Sequence, residues 1–294
     1  MKATITGSLG NISRVLVQQL IAAGHEVNVI TSNAERADAI AQLRATPLIG
    51  KVDDIDFINN AFQGVDAVYT MVPPNYGTRE QIISVGEIYA AAIENNNVPF
   101  VVNLSGIGAH LPDGPGPAGA NHHNENRFSA LAAHVLHLRP GMFYSNFYGF
   151  IDLIKQQHII GNNFDADIVL ALSHPQDIAA ATFEAMHHRN FHGKSYKYIV
   201  SDEVTGKEIA QHLGAAIGNP DLNWVRFPDD AMLQSLVQQG MTAEMATTYV
   251  IDMGKALQNG SILKPYFEER TTLSGKIKFD AFAKEFAFAY NEVV

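Results

Sequence analysis

The chain has 294 residues, 47% of them hydrophobic, enough to bury a full core as one large domain or a large one carrying a smaller. Its 20 Lys and Arg stand against 30 Asp and Glu, a net charge of −10 with no basic cluster, which excludes the electrostatic footprint of a nucleic-acid-binding protein. Without cysteine there are no disulfides, thiol nucleophiles or thiolate metal sites; no apolar run approaches the roughly 18 residues of a membrane span, and Gly7 comes too soon for a signal-peptide core, so a cytoplasmic protein is expected.

Residues Ala3 to Thr6 read as a short apolar strand, Gly7 to Asn11 (GSLGN) as a tight turn, and Ile12 to Ala23 as a helix ended by Gly24. Glycines let backbone approach a pyrophosphate closely, and the helix N-terminus behind them offers unpaired N–H groups and a partial positive charge. The spacing runs Gly7, Gly10, Ser13, with serine as the third small residue where G-x-G-x-x-G has glycine. His25 to Thr31 makes a second strand and completes a β-α-β unit of dinucleotide-binding length, so Gly7, Ser8, Leu9, Gly10, Asn11 and Ile12 are the expected cofactor contacts. A glycine pair alone suits any strand-to-helix turn; the flanking elements carry the reading.

Cofactor choice is read just after the second strand, where the sequence is TSNAER. No carboxylate stands there to hold a ribose 2′-hydroxyl, whereas Ser32 and Asn33 can donate hydrogen bonds and Arg36, a turn further on, can supply charge to a 2′-phosphate. This favours NADP, with NAD as the alternative. The same residues would also serve as a helix cap, in the case of Ser32 or Asn33, and as a solvated surface charge, in the case of Arg36.

Ala34 to Leu43 then reads as a short helix, Thr46 to Val52 as a strand, Asp54 to Gln63 as a helix and Ala67 to Val72 (AVYTMV) as a strand apolar enough to be covered on both faces. Arg79 to Asn96 has the apolar stripe of a long helix, and Phe100 to Ser105 is the fifth strand. Gly106 to Asn121 carries too much glycine and proline for regular structure and sits where a substrate lid could. A helix resumes at His122, His134 to Arg139 is a sixth strand, and Pro140 to Asn146 is a turn with two aromatics. The alternation predicts an α/β fold, a doubly wound parallel sheet of Rossmann type, with ligands at the carboxyl ends of the strands.

Beyond Phe147 strict alternation is lost. Helices over Asp177 to His187 and Thr205 to Ile217, a strand over Ser195 to Ser201, a strand-like LNWVRFP and mostly helical sequence to Val294 suggest a smaller C-terminal α/β lobe closing a cleft at the rim. The expected division is a dinucleotide-binding Rossmann domain over 1–146 and a substrate-side lobe over 147–294, some of whose segments return to the sheet. Asp177 reads as a helix N-cap. His188 and His192 are four apart, but Asn190 and Gly193 end the helix and no third ligand is evident, so no metal is expected.

TGSLGNIS, QGVDAVYTMVPP, VVNLSGIGAH, LRPGMFYSNF, HPQDIAAATFEAM and YKYIVSDEVTGKEIAQHLGAAIG, in this order and spacing, resemble the NmrA-like atypical short-chain dehydrogenases over most of the chain. The resemblance implies an NADP-binding Rossmann fold with a helical cap, and a function among quinone and dye reductases, phenylpropanoid reductases and redox-sensing regulators. It also places a carboxylate near adenine at Asp53 or Asp54, each of which would otherwise be a helix cap, and supports the ribose on Val72, Pro73 and Pro74. Gly141, Met142 and Phe143 then line the nicotinamide. Ser105 falls where short-chain dehydrogenases place a substrate-orienting serine; a strand-end hydroxyl bonded to backbone is the plainer reading.

The departure from that pattern is chemical. No Y-x-x-x-K occurs anywhere, no lysine lies between Lys51 and Lys155, and the helix that carries the family's lysine reads HHNENRF, with Arg127 as a replacement that does not readily lose its proton. Reducing a ketone leaves an alkoxide that needs a positioned acid, a factor of roughly 10² to 10⁴ in rate. A quinone is already electrophilic and its reduced oxyanion is stabilised by the ring, so cofactor and orientation would suffice. The expected function is therefore NAD(P)H-dependent reduction of a quinone-like or other electrophilic small-molecule acceptor without a Tyr-Lys dyad, with Ser105, His123 and Tyr144 as candidate catalytic residues. The alternative is a redox sensor that binds the cofactor and acts through a protein partner.

Overall fold

The computed structural model describes residues 1–270 and 272–292. In chain order, β1 (Lys2–Ile5) is followed by α1 (Ser13–Ala22), β2 (Glu26–Thr31), α2 (Ala37–Gln42), β3 (Thr46–Ile49), α3 (Ile55–Ala61), β4 (Ala67–Thr70), α4 (Arg79–Asn95), β5 (Phe100–Leu104), α5 (Ala118–Ser129) and β6 (His134–Pro140). Then come β7 (Met142–Phe143), α6 (Ile151–Gln157), β8 (Ile159–Asn162), β9 (Val169–Ser173), α7 (Pro175–His188), β10 (Lys194–Ile199), β11 (Asp202–Thr205), α8 (Gly206–Ala216) and β12 (Asn223–Arg226). The last helices are α9 (Asp229–Gln238), α10 (Ala243–Ala246), α11 (Asp252–Gln258), α12 (Lys264–Glu269) and α13 (Phe279–Glu292). The chain divides into two compact units, Met1–Arg139 with Ile178–Tyr198, and Pro140–Asp177 with Ile199 onward.

The first unit holds a seven-stranded sheet in the order β10-β6-β5-β4-β1-β2-β3. Neighbours from β3 to β6 pair in parallel, and the order reverses between β1 and β4, the place where doubly wound sheets open for ligands. The strands are apolar on both sides: Ala67–Thr70 is wholly buried, as is Ala3–Ile5 of β1. On one face Val68, Val101 and Val135 stand in register and pack with Ile58 of α3, Phe62 just past it, Tyr89 and Ile93 of α4 and Phe128 of α5. Two residues further along the same strands, the period of 2 puts a polar row on that face, Thr70, Asn103 and His137, also in register.

Several boundaries differ from the sequence reading. The fourth strand stops at Thr70, not Val72, because the Met71 amide donates to the Thr6 hydroxyl instead of to a neighbouring strand, 2.8 Å, and Pro73 and Pro74 have no N–H to donate. The third strand ends at Ile49, before Gly50. The Gly106 to Asn121 stretch is irregular only as far as Pro117. Helix α5 begins at Ala118, and the helix admits glycine at position 119 because any Cβ there would clash, 2.5 Å from the Arg79 guanidinium and 2.8 Å from the Pro112 carbonyl oxygen.

In the second unit β7 pairs in parallel with β9, β9 runs antiparallel to β11, and β12 pairs in parallel with β8. Part of the expected Pro140 to Asn146 turn is thus the strand Met142–Phe143. Helix α13 carries Phe279, Phe282, Ala283 and Phe286 at the i, i+3, i+4, i+7 spacing of one face, all buried. Tyr144 and Phe147 meet that face, with ring centroids 5.3 Å and 5.2 Å from Phe279. The expected helical run to Val294 is described to Glu292; Val293 and Val294 lie outside the described residues.

Candidate functional site

The turn after β1 is built on backbone that side chains would block. Gly7 sits at φ +86°, and a Cβ there would lie 2.7 Å from Met71 Sδ and 2.8 Å from Ser13 Oγ. The Gly10 amide donates back to the Gly7 carbonyl at 3.1 Å, and the Ser8 amide donates to Ile30 at 3.1 Å, tying the turn to β2. Ser13, the third small residue, is buried at the start of α1 and donates its hydroxyl to the Thr6 carbonyl at 3.0 Å, which anchors the helix to the strand. In the first turn of α1 the Arg14 and Leu16 amides donate to the Gly10 and Ile12 carbonyls, both at 3.0 Å, so the glycine turn runs directly into the helix N-terminus. Leu9 is half-buried, Asn11 exposed and Ile12 buried in the core.

The end of β2 comes close to this turn. Thr31 Oγ1 accepts the Ser8 hydroxyl at 3.0 Å, and Arg36 Nη1 donates to Ser8 Oγ at 3.3 Å, so the guanidinium stands beside the glycine turn. Asn33 Oδ1 accepts the Glu35 amide at 2.9 Å and caps a short 3₁₀ turn, Ala34–Arg36, while Ser32 is exposed. Asp54 caps α3, its Oδ1 accepting from the amides of Asp56 and Phe57, both at 3.1 Å. Asp53 instead hydrogen-bonds Tyr76, whose phenol is pushed above its ordinary pKa by burial and by that carboxylate. Val72 packs against the core cluster, Pro73 is half-buried and Pro74 is exposed.

Ser105 lies just past β5, pinned by its amide, which donates to the Leu138 carbonyl at 2.8 Å. Its hydroxyl donates neither to backbone nor outward but to Glu125 Oε1 of α5, at 2.6 Å. Arg139, at the end of β6, closes on the same carboxylate with two bonds, Nε to Oε1 at 3.0 Å and Nη2 to Oε2 at 2.6 Å. Both side chains are buried, 10% exposed for Arg139 and 9% for Glu125. The guanidinium also lies over the Tyr196 ring of β10, 3.9 Å from its centroid. Burial opposes the Arg139 charge, but the Glu125 carboxylate outweighs it and raises the Arg139 pKa above the ordinary value. Beneath this array Thr70 Oγ1 donates to Asn103 Oδ1 at 2.9 Å and Asn103 Nδ2 donates to His137 Nδ1 at 3.1 Å.

Glu125 and Arg139 were not legible as a pair. The sequence offers Arg127 in place of the family's lysine, but Arg127 faces α4, where its Nε donates to Glu87 at 3.0 Å and its Nη2 to Glu94 at 3.2 Å. His123, one turn before it, faces the same way and donates to Glu87 Oε1 at 2.8 Å, in an open cleft of about 380 Å³ also lined by Arg79, Asp113 and His122. Ser105 and His123 thus address different faces of α5. In α5 Glu125 and Phe128 share the buried face that Arg127 leaves, but the stretch is too polar for an apolar stripe to mark that face in the sequence.

In the second unit Gly141 is buried beside β9; a Cβ there would lie 2.1 Å from the Ala171 carbonyl oxygen. Its amide donates to Ser173 Oγ at 2.8 Å, and Met142 and Phe143 are half-buried. Tyr144 is fully buried and donates its hydroxyl to the Ile277 carbonyl at 3.0 Å; burial, followed by the nearby Asp202, Asp177 and Asp280, raises its pKa far above the ordinary phenol value. Asp177 is not the N-cap that its position suggested. His174 Nδ1 accepts the Gln176 amide at the start of α7, and the buried Asp177 Oδ2 accepts the Ser201 hydroxyl at 2.7 Å and the amides of Lys276 and Ile277 at 2.9 and 3.0 Å. Its acceptor oxygen is occupied by segments distant in sequence. Among the described residues no group of three His, Cys, Asp or Glu is arranged to hold a metal, and no helix is long and apolar enough to cross a membrane.

A doubly wound parallel sheet with a glycine turn after its first strand, beside the reversal of strand order, defines a Rossmann-type α/β protein. The chain belongs to the NmrA-like family, whose profile matches residues 1–260, a family of NAD(P)-binding reductases and regulators. The fold is similar to that of Citrobacter triphenylmethane reductase complexed with NADP(H), with a TM-score of 0.81 at 17% identity over 96% of this chain and 99% of that one. It is similar also to an Escherichia coli NADPH-dependent quinone oxidoreductase complexed with NADPH, with a TM-score of 0.75 at 17% identity over 99% of both chains. NmrA, a negative transcriptional regulator solved with NADP, gives 0.73 at 14% identity over 99% and 97%.

Proposed function

We propose that the protein binds NADP(H) at the Gly7–Ser13 turn and reduces a quinone-like electrophilic acceptor. The residues present fit the cofactor: Gly7 takes a positive φ that lets the turn fold tightly against Met71 and Ser13, the turn leads into a helix N-terminus, and Arg36 brings a cation beside it where no carboxylate stands. Gly7 to Ile12 would hold the pyrophosphate, Ser32, Asn33 and Arg36 the 2′-phosphate, Asp53 the adenine side, and Val72 to Pro74 the ribose. The chemistry such a cofactor supplies when bound is hydride transfer from the nicotinamide.

The observation that carries the choice of acceptor is the engagement of Ser105 with the Glu125–Arg139 pair. Its hydroxyl proton is turned to a carboxylate, so the alkoxide of an ordinary ketone reduction would find no ready acid there. An acceptor whose reduced oxyanion is stabilised by its own ring does not need one. The same fact favours the second reading, a cofactor-binding regulator that does not turn over, because the Tyr144 proton is committed as well.

Purified protein separates these readings. NADPH oxidation at 340 nm with a small quinone panel, beside calorimetric titration of NADPH and NADH, gives acceptor-dependent oxidation for a reductase and binding without oxidation for a regulator; no binding of either nucleotide defeats both. In the same titration Arg36→Ala is expected to weaken NADPH by about tenfold and leave NADH unchanged, the worth of one exposed charge-assisted contact. Equal effects on the two nucleotides would remove Arg36 from cofactor selection.

A further inference from the structure

We propose that Ser105 meets its ligand as a hydrogen-bond acceptor, with Glu125 and Arg139 as positioning residues that select a ligand group bearing an N–H or O–H. The proposal rests on the cofactor reading above and adds the polarity of contact that the site demands. A hydroxyl has one proton and two lone pairs. The Ser105 proton lies along a 2.6 Å bond to Glu125 Oε1, the short contact of an O–H on an ionised carboxylate. Glu125 is acceptor-only, because both its oxygens are already bonded to Arg139, at 3.0 and 2.6 Å. It has no proton to return to Ser105.

Turning the Ser105 hydroxyl outward would leave a carboxylate oxygen short of a bond in a place where both Glu125 and Ser105 are buried. Nor can Arg139 swing away to release it, since the guanidinium is stacked on Tyr196. What Ser105 offers past the end of β5 is lone pairs. A carbonyl or oxyanion placed against it is repelled, and a donor is held. Two sources carry that chemistry, the carboxamide NH₂ of the nicotinamide and a donor on the acceptor molecule itself.

Calorimetric titration with NADP⁺ and with its 3-acetylpyridine analogue, in which a methyl ketone replaces the carboxamide and its N–H, tests the first source. Wild type is expected to bind the analogue about tenfold more weakly, the worth of one hydrogen bond, and Ser105→Ala to bind the two within about twofold of each other. Glu125→Ala, which keeps the serine but frees its proton, is expected to narrow the gap as well, an effect that a merely structural role would not produce. If that variant does not fold, the serine pair of titrations still decides. The second source is tested by KM for 2-amino-1,4-naphthoquinone against 2-methyl-1,4-naphthoquinone, with the amino compound favoured by wild type and the preference lost in Ser105→Ala. Binding of both nucleotides with no gap in either comparison overturns this proposal and leaves the cofactor reading standing. Absence of nucleotide binding overturns both.

Discussion

Glu125→Ala is expected to lower the unfolding free energy of the first unit by roughly 3–5 kcal/mol, the cost of leaving a buried charge without its partner. The variant leaves the Arg139 guanidinium, 10% exposed, facing Ser105 and Tyr196 without a counter-charge. It also takes the acceptor from the Ser105 hydroxyl. The double variant Glu125→Leu with Arg139→Met is expected to recover most of the loss, because two apolar side chains of similar volume need no counter-charge and desolvate nothing. Urea unfolding followed by far-ultraviolet circular dichroism reads the effect; the single Trp224 belongs to the second unit and reports that one. A loss below about 1 kcal/mol for the single variant, in the range of an exposed ion pair, or a double variant as unstable as the sum of the singles, would show that the pair does not act as a buried unit.

The second large effect is on acid stability. His137 is 3% exposed, stacked on Phe128, and its Nδ1 accepts from Asn103 while its Nε2 is buried with no hydrogen-bond partner. Burial pulls its pKa from 6.5 down to about 4, with Glu125 opposing the shift and Arg139 and Lys194 adding to it. The folded-state value lies below the unfolded one. As pH falls from 6.5 to about 4 the unfolded chain therefore takes up a proton that the folded chain refuses, and stability that is full above pH 6.5 is lost across this window. The shift corresponds to about 3 kcal/mol. His137→Gln, which keeps an acceptor for Asn103 but cannot titrate, is expected to lose about that much less than wild type between pH 7 and pH 4. The difference between the two curves, each measured by urea unfolding across that range, is the test. Parallel curves would mean that the folded protein accommodates a protonated imidazole at this position.

Much of the first unit was legible because its signals are local. Gly7, Gly10 and Ser13 announce a strand-turn-helix within seven residues, and the structure uses each: Gly7 for a positive φ without room for a Cβ, Gly10 to close the turn, Ser13 to hold helix to strand. Apolar runs such as AVYT, bounded by turn residues and rich in β-branched and aromatic side chains, read as strands covered on both faces. The second unit was less legible. Strands β7, β8, β9 and β11 have two to five residues each, too few to show a period, and their partners are remote in sequence. Asp177 was misread for a related reason. A carboxylate at the start of a helix suits a cap, and only the chain near Lys276 and Ile277 claims it for something else.

Helix α5 marks the boundary between the two kinds of knowledge. The order of strands and helices, the glycine turn and the absence of a Y-x-x-x-K dyad are properties of the sequence by itself, because they depend on residue type and spacing along one chain. Which face of HHNENRF turns inward is not: the stretch is polar almost all round, so no apolar stripe selects a side. The choice falls to Arg139 of β6 and Ser105 just past β5, which converge on Glu125, and to Glu87 and Glu94 of α4, which take Arg127 the other way. Charges find their partners across space at distances that sequence spacing does not encode, so the protonation and polarity of this site were decided only when the sheet and its helices came together.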